Sequence, residues 1–473
     1  MRVLLFSCLA FLLLLPTPEA SADGFADTRK AFESAMEGDW SAREQAFLPL
    51  IDYDGPEVVA LIVAHLGKET NGVVLNTAIK TLAGLESEGA KTALVEAARK
   101  AKPPMRDYVM MALGQMKGDT GADLLLEVLQ GAKEPQQRAM AALAIGDKGL
   151  EATVPALVAA LDDKDWHVVS AAARALGQLA WSGWTEPKNP KEGKKPAKPA
   201  WWKDDLAVAP LANRLAKADG AERGDLIAAL ERISGQELGW NVDAWRKVAA
   251  GEKPDAATLR KQKHPPYMFG IPLYGKRIVI VVDASVLNDN AVPFEGRDRL
   301  KEVCKVPGAR PLLWSKIKTV GDFSAAHVSR GIQDLPSKKQ KFEVIFSAIK
   351  PRALFGKLDA ANAGKKKAAI EAIGKLRRSN ENDILATMNA ALDAGGEKES
   401  KAWKKGPDEI LCVYTSVPWL APETDAAVIG NTIGLKARRR MVRIHAVGVR
   451  EYAYEMMRLF AHLSGGRYEA LTK

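Results

Sequence analysis

A short motif recurs along the first half of the chain at a nearly constant interval. Successive leucines of this motif lie 31, 30 and 33 residues apart, and each follows a small residue, at Thr81-Leu82, Ala112-Leu113, Ala142-Leu143 and Ala175-Leu176. A fifth copy, Ala229-Leu230, comes 54 residues later, and 22 of those residues form an insertion. The apolar residues between the copies have helical spacing, and one helix pair cannot bury its apolar face alone. The period therefore predicts an α-solenoid of stacked helical repeats.

The alternation and period over residues 23–250 resemble the HEAT-like repeats of bacterial α-solenoids. The insertion at 182–203 is rich in lysine and proline, a composition typical of a solvated loop. Four tryptophans lie at its ends: Trp181, Trp184, Trp201 and Trp202. We expect them to anchor the loop against the solenoid, because large aromatic side chains beside insertions usually pack. A partner-binding patch is the alternative.

After a linker at 251–269, short apolar runs alternate with helical patterns. The first run, Arg277 to Val282, is followed by Asp283. This pattern is typical of a buried parallel strand with a functional loop at its carboxyl end. Similar runs begin at Phe342, Glu409 and Val442. Because strand and helix alternate, residues 270–473 are predicted to form an α/β domain around a doubly wound, mainly parallel, Rossmann-like sheet.

Three of these segments resemble, in order, the strands of a von Willebrand factor A (vWA) domain: Tyr274 to Ser285, Phe342 to Ser347 and Val442 to Val449. A HEAT-like array joined to a vWA domain is also similar to a group of exported bacterial proteins. The vWA resemblance implies a site for Mg²⁺ at the carboxyl edge of the sheet, with Asp-x-Ser-x-Ser in the first loop, threonine in the second and aspartate in the third.

The implied metal positions in this chain are Asp283, Ser285, Leu287, Asn382 and Thr415. Leu287, Asn382 and Thr415 replace the family's serine, threonine and aspartate. One of two carboxylates is therefore lost, and Mg²⁺ requires hard oxygen ligands in octahedral geometry. We predict a degenerate metal-dependent adhesion site (MIDAS) that holds no metal, and no other cofactor. Alternatively, nearby acidic side chains restore Mg²⁺ binding; the candidates are Asp289, Glu381, Asp383 and Asp425.

Residues 1–22 have the pattern of a secretory signal peptide. Arg2 precedes 13 mostly apolar residues, Val3 to Leu15, and Ala20-Ser21-Ala22 fits the small-residue cleavage pattern. An apolar run of this length falls short of the ~20 residues needed to cross a bilayer as a helix. We therefore predict an exported protein, periplasmic or extracellular, with no membrane span. Three cysteines are too few for a disulfide framework, and whether Cys304 and Cys412 pair is open.

Positive charge is concentrated in the second half of the chain. Residues 271–473 hold 35 lysines and arginines against 22 acidic residues, a net charge of +13, while residues 1–270 have a net charge of −3. Either these side chains form a solvated surface, or they contact a polyanion. Candidate contacts are Lys365-Lys366-Lys367, Arg377-Arg378 and Arg438-Arg439-Arg440. We expect no nucleic-acid partner, since the basic residues lack interleaved aromatic residues and the protein is predicted to be exported.

No catalytic motif is evident in the sequence. The six histidines form no H-x-x-x-H pair, and neither G-x-S-x-G nor C-x-x-C occurs. His445 lies in an apolar run, where a hydrogen-bonded core residue is the expected role. We therefore predict a non-catalytic, exported protein-interaction or scaffold protein. The alternatives are an envelope polyanion-binding module and metal-dependent adhesion through a rearranged site.

Overall fold

The structure is a computed structural model. It describes residues 22–181, 198–260, 265–290, 300–301, 312–337, 339–376, 378–379, 382–414, 421–449 and 454–471. All but the last residue of the predicted signal peptide, and most of the insertion, lie outside these ranges. Within them, no helix has the length and apolar character that a bilayer span requires.

Helices fill the first half of the described chain. Their bounds are α1 (Ala22–Ala35), α2 (Trp40–Gln45), α3 (Pro56–Leu66), α4 (Gly72–Gly84), α5 (Glu88–Lys100), α6 (Met105–Gln115), α7 (Ala122–Gly131), α8 (Pro135–Lys148), α9 (Val154–Ala160), α10 (Trp166–Leu179), α11 (Val208–Leu215), α12 (Ala221–Ser234) and α13 (Val242–Ala249). A further short helix, α14 (Ala256–Arg260), lies in the segment predicted to be a linker.

The repeated leucines explain how these helices stack. All five are buried, and they lie in every second helix from α4 to α12: Leu82, Leu113, Leu143, Leu176 and Leu230. Small residues let these helices approach closely; a Cβ on Gly146 of α8 would lie only 2.8 Å from Ala175 Cα of α10. One apolar cluster runs through the whole array. The predicted helical-repeat architecture is confirmed.

The second half is built on parallel strands. A two-stranded antiparallel pair, β1 (Tyr267–Met268) and β2 (Ile271–Pro272), precedes the main sheet. The main sheet consists of β3 (Arg277–Asp283), β4 (Lys341–Ser347), β5 (Arg352–Ala353), β6 (Asp359–Ala360), β7 (Glu409–Tyr414), β8 (Arg443–Gly448) and β9 (Tyr468–Ala470). Its order is β5-β4-β3-β7-β8-β9; β4, β3, β7, β8 and β9 run parallel, and β6 pairs with β4.

Helices cover both faces of this sheet. The helices of this domain are α15 (Val320–Asp334), α16 (Ala363–Gly374), α17 (Ile384–Leu392), α18 (Glu399–Lys405), α19 (Ala426–Arg439) and α20 (Tyr454–Ser464). Because side chains alternate along a strand, Ile278 and Ile280 of β3 pack with α15 and α16. Val279 and Val281 pack with α17, α19 and α20 on the other face. The sheet is therefore doubly wound, as predicted.

The repeats dock on the α/β domain through a continuous apolar contact. Trp403, Leu435 and Met441 of the α/β domain belong to the same buried cluster as the repeat helices. The backbone N–H of Gly72, at the start of α4, donates a hydrogen bond of 2.8 Å to Thr432 Oγ1 of α19. Residues of the repeats also form ion pairs with side chains at the amino ends of β3 and β8. The carboxyl edge of the sheet therefore lies on the side away from these ion pairs.

Candidate functional site

Asp283 closes β3 at the carboxyl edge of the sheet, where the resemblance places a metal. Its carboxylate accepts hydrogen bonds from the Ser285 N–H at 2.8 Å and from Ser285 Oγ at 3.2 Å. Asn382 Nδ2 donates to the same carboxylate at 3.2 Å. Asn288, which the sequence interpretation missed, donates from Nδ2 to the Asp283 carbonyl at 2.9 Å. Three of these donors therefore converge on the carboxylate itself.

Behind Asn382 lies a chain of buried hydroxyl groups that the sequence analysis did not identify. Ser347, at the carboxyl end of β4, donates from Oγ to Asn382 Oδ1. Tyr414 OH, at the end of β7, donates to Ser347 Oγ at 3.2 Å, and burial raises the pKa of Tyr414 well above its usual value. The phenol therefore stays protonated. This chain orients the Asn382 amide so that its N–H, rather than its oxygen, faces Asp283.

The acidic side chains that could have restored a metal site have other contacts. Asp289 pairs with Arg378 at 3.1 Å. Asp383 caps α17 by accepting the Ala386 N–H at 2.8 Å, and Asp425 caps α19 by accepting two backbone N–H groups at 2.8 and 2.9 Å. Such bonds satisfy helix N–H groups that would otherwise lack partners. Glu381, Thr415 and the side chain of Leu287 lie outside what the structure describes.

The described residues at this edge, Asp283, Ser285 and Asn382, are not arranged to bind Mg²⁺. Mg²⁺ needs oxygen lone pairs directed at it, whereas Asn382 directs an N–H group at the Asp283 carboxylate. Within the described part of the chain, no group of three or more His, Cys, Asp or Glu side chains is arranged to hold a metal ion. The interactions of Asp283 are those of a hydrogen-bonded carboxylate.

The structure also places the predicted basic clusters. Arg438, Arg439 and Arg440, proposed as polyanion contacts, are turned inward: Arg438 pairs with Asp147 at 2.6 Å, Arg439 with Asp107 at 3.0 Å and Arg440 with Asp393. Each arginine of this triplet is therefore paired with a carboxylate inside the protein, and the triplet does not form an unpaired basic surface. Of the remaining clusters, Arg377 lies outside the described residues, and Lys365 pairs with Asp359 at 3.0 Å.

Two of these arginine pairs belong to a larger set that joins the halves of the molecule. In each pair the acid comes from the repeats and the base from the α/β domain: Asp107–Arg439, Asp147–Arg438, Asp219–Lys276, Asp225–Arg443 and Glu231–Arg467. Asp225 is buried at the centre of this set and also accepts Arg174 Nε at 2.6 Å. The opposite net charges of the two halves thus meet at their interface.

Three other expectations are resolved by local contacts. Trp202 is buried in the repeat core, and Trp181 Nε1 donates a hydrogen bond to Arg232 O at 2.8 Å. These contacts support the anchoring role, while Trp184 lies outside the described residues.

The hydrogen-bonding capacity of His445 is only half used. Its Nδ1 accepts the Arg467 N–H at 3.1 Å, but buried Nε2 has no hydrogen-bond partner among the described residues. Cys412 is a free, buried thiol whose pKa burial raises; Cys304 is outside the described ranges.

The fold defines a helical-repeat region joined to a parallel α/β domain. A family model described as HEAT repeats matches residues 122–191. No curated protein matches the chain.

Solved structures give weak matches only. A von Willebrand factor type A protein from Catenulispora acidiphila shares 16% identity over 42% of this chain and 40% of its own length, with a TM-score of 0.28. A mutant of the PilB minor pilin from Streptococcus sanguinis shares 8% identity over 42% of this chain and 58% of its own length, with a TM-score of 0.27. A designed armadillo repeat protein in complex with the peptide (KR)4 shares 16% identity over 44% of this chain and 100% of its own length, with a TM-score of 0.25.

Proposed function

We propose that this chain is a non-catalytic, exported protein-interaction protein, in which a HEAT-like solenoid is docked on a degenerate vWA-like domain. The observation that carries the proposal is the repeat array itself. Stacked repeats present an extended surface, and proteins of this architecture use that surface for binding. The HEAT match at 122–191 lies within the array. The pattern of residues 1–22 supports export.

Binding by this protein is proposed to be independent of metal. The hydrogen bonds from Asn382 and Ser285 to Asp283 support this, since they satisfy the carboxylate without a cation. The polyanion alternative is weakened by the inward pairing of Arg438 and Arg439. Catalysis is not proposed, because no nucleophile, base and oxyanion donor can be named together.

A capture experiment separates the three functions. The purified protein is immobilised and exposed to envelope proteins in EDTA, in MgCl₂ and over a range of NaCl concentrations. We expect the same partner proteins in EDTA and in MgCl₂, retained at high salt, because apolar and buried polar contacts are little screened. Capture that requires MgCl₂ would support metal-dependent adhesion instead. Capture that falls steeply with NaCl would support polyanion binding.

Restoring the three altered positions is expected to create a metal site. The triple variant Leu287→Ser, Asn382→Thr and Thr415→Asp replaces the amide donor and adds a carboxylate. MgCl₂ at ten to a hundred times the dissociation constant should then stabilise the variant by about 1.4–2.7 kcal/mol, whereas the parent protein should not respond. Thermal unfolding with and without MgCl₂ measures this difference. The single variant Asn382→Ala is the control. An Mg²⁺-dependent shift in the parent protein would contradict the proposed degeneracy.

A further inference from the structure

A large cleft opens where the repeats meet the α/β domain. Its volume is about 810 Å³, within the range of small-molecule sites. One wall comes from α8, α10 and α12, and the other from α19, β8, α20 and the turn before β9. β8 contributes Arg443 and His445, near its amino end, so this cleft lies at the sheet edge opposite to Asp283. It is a different place from the degenerate metal site.

The cleft carries an excess of positive charge. Six basic side chains line it: Lys148, Arg174, Arg232, Arg438, Arg443 and Arg467. The carboxylates that line it are Asp147 and Asp225. Asp225 is shared by two arginines, Arg174 and Arg443. Arg438 pairs with Asp147, Arg467 with Glu231 outside the lining, and Arg443 also lies 3.9 Å from Glu409. The charges of Arg232 and Lys148 therefore remain in excess, and burial lowers the pKa of Lys148 to about 8.

Arg232 is the cation best placed to contact a ligand. Its side chain is exposed and lines the cleft, and no described carboxylate pairs with its guanidinium group. Its positive charge acts on the neighbouring His462. Burial lowers the pKa of His462, and repulsion from Arg438 and Arg232 lowers it further. A planar guanidinium group with free N–H donors matches the oxygens of phosphate.

His445 and two aromatic side chains complete the lining. His445 is 2% exposed, and because Nδ1 accepts an N–H, the neutral ring carries its proton on Nε2. Nε2 lies 3.8 Å from Glu409 Oε1, beyond hydrogen-bond distance, and has no described partner. Trp181 and Trp201 line the same cleft and are half-buried. They provide flat apolar surface beside the arginines.

We propose that this junction cleft binds a small organic phosphate that carries an aromatic group. The phosphate contacts Arg232 and the neighbouring guanidinium groups, and the aromatic group packs against Trp181 and Trp201. The ligand would contact both halves of the protein. This inference does not depend on the proposed protein-interaction function, because the cleft and its charges stand independently of any surface on the repeats.

Calorimetric titration of the purified protein tests the proposal with ADP as an aromatic phosphate, pyrophosphate as the phosphate alone and adenosine as the aromatic group alone. We expect ADP to bind with a dissociation constant below about 1 mM, more tightly than pyrophosphate, and adenosine to give no heat. The Arg232→Gln variant loses one charge-assisted contact, which should raise the dissociation constant of ADP about tenfold. The matched control is Arg246→Gln on α13, which lies outside the cleft and should change ADP binding less than about twofold.

The aromatic part has its own test. Trp201→Leu should weaken the binding of ADP but leave the binding of pyrophosphate unchanged, since only ADP has a ring that packs against Trp201. Thermal unfolding of each variant checks that the fold is kept; Arg232→Gln breaks no ion pair that the structure describes. The proposal is overturned if neither ADP nor pyrophosphate gives heat up to about 10 mM. It is equally overturned if Arg232→Gln and Arg246→Gln weaken ADP alike, or if adenosine binds as well as ADP.

Discussion

Replacing Asp225 by asparagine is expected to destabilise the protein by about 3–5 kcal/mol. Asparagine keeps the size of the side chain but removes the negative charge that two arginines share, the buried Arg443 and the largely buried Arg174. Arg174 and Arg443 approach the carboxylate from opposite halves of the molecule. Removing one partner of a buried ion pair leaves an uncompensated charge, which costs more than the pair itself contributes. Urea-induced unfolding measures the loss.

Asp243→Asn is the matched control for this substitution. Asp243 also pairs with an arginine, Arg246, but at 3.4 Å and with a side chain that is 73% exposed. Exposed pairs contribute at most about 1 kcal/mol, so this variant should unfold close to the parent protein. In the Asp225→Asn background, Arg443→Met should recover part of the loss, because it removes one uncompensated charge. Equal stability of Asp225→Asn and Asp243→Asn would refute the central role of Asp225.

The same ion pairs predict how stability depends on pH. Burial alone would raise the pKa of Asp225, but the charges of Arg174 and Arg443 outweigh burial and lower it. A carboxyl group whose pKa is lower in the folded state stabilises the protein above its unfolded pKa of about 3.9, and this contribution is lost as pH falls through the folded value. Acid unfolding followed from pH 6 downwards should therefore be less steep in Asp225→Asn than in the parent protein.

Gly72→Ala is expected to cost about 3 kcal/mol by forcing the two halves apart. A Cβ at this position would lie 2.0 Å from the backbone nitrogen of Thr432 and 2.4 Å from the carbonyl carbon of Asn431. Backbone atoms cannot move aside as a flexible side chain can, so α4 and α19 must separate. Overpacking of this kind typically costs 1–3 kcal/mol, occasionally more. The expected result is a lower melting temperature and a larger radius of gyration by small-angle X-ray scattering.

The control for Gly72 lies at the other end of the same helix. Gly84 ends α4, and a Cβ there would meet nothing within 4 Å. Since alanine is a better helix former than glycine by about 1 kcal/mol, Gly84→Ala should leave stability unchanged or slightly raised. If both alanine variants melt at the same temperature and keep the same radius of gyration, the close approach of α4 to α19 is wrong.

The candidate metal edge shows how far sequence reasoning reaches. Asp283, Ser285 and Asn382 could be placed near one another because each follows or adjoins a recognisable strand or helix pattern. The sequence could not reveal which way the Asn382 amide faces, because Ser347 and Tyr414 orient it from strands far apart in the chain. A serine directly after an apolar strand was the available signal for Ser347.

The basic residues show the opposite case. Composition located the positive charge in the second half, but it could not distinguish a free basic surface from a buried interface. Arg439 and Asp107 are 332 residues apart, and only docking brings them within 3.0 Å.

By itself, the sequence determined the helical repeat and the parallel strands of this protein, because their signals are local: a 30–33-residue period, helical spacing and short apolar runs. The tertiary structure alone decided which charges are paired, why Gly72 must lack a side chain, and where a cleft is left between the halves. These features depend on the distance between surfaces that meet only after each half has folded, and spacing along the chain carries no information about that distance.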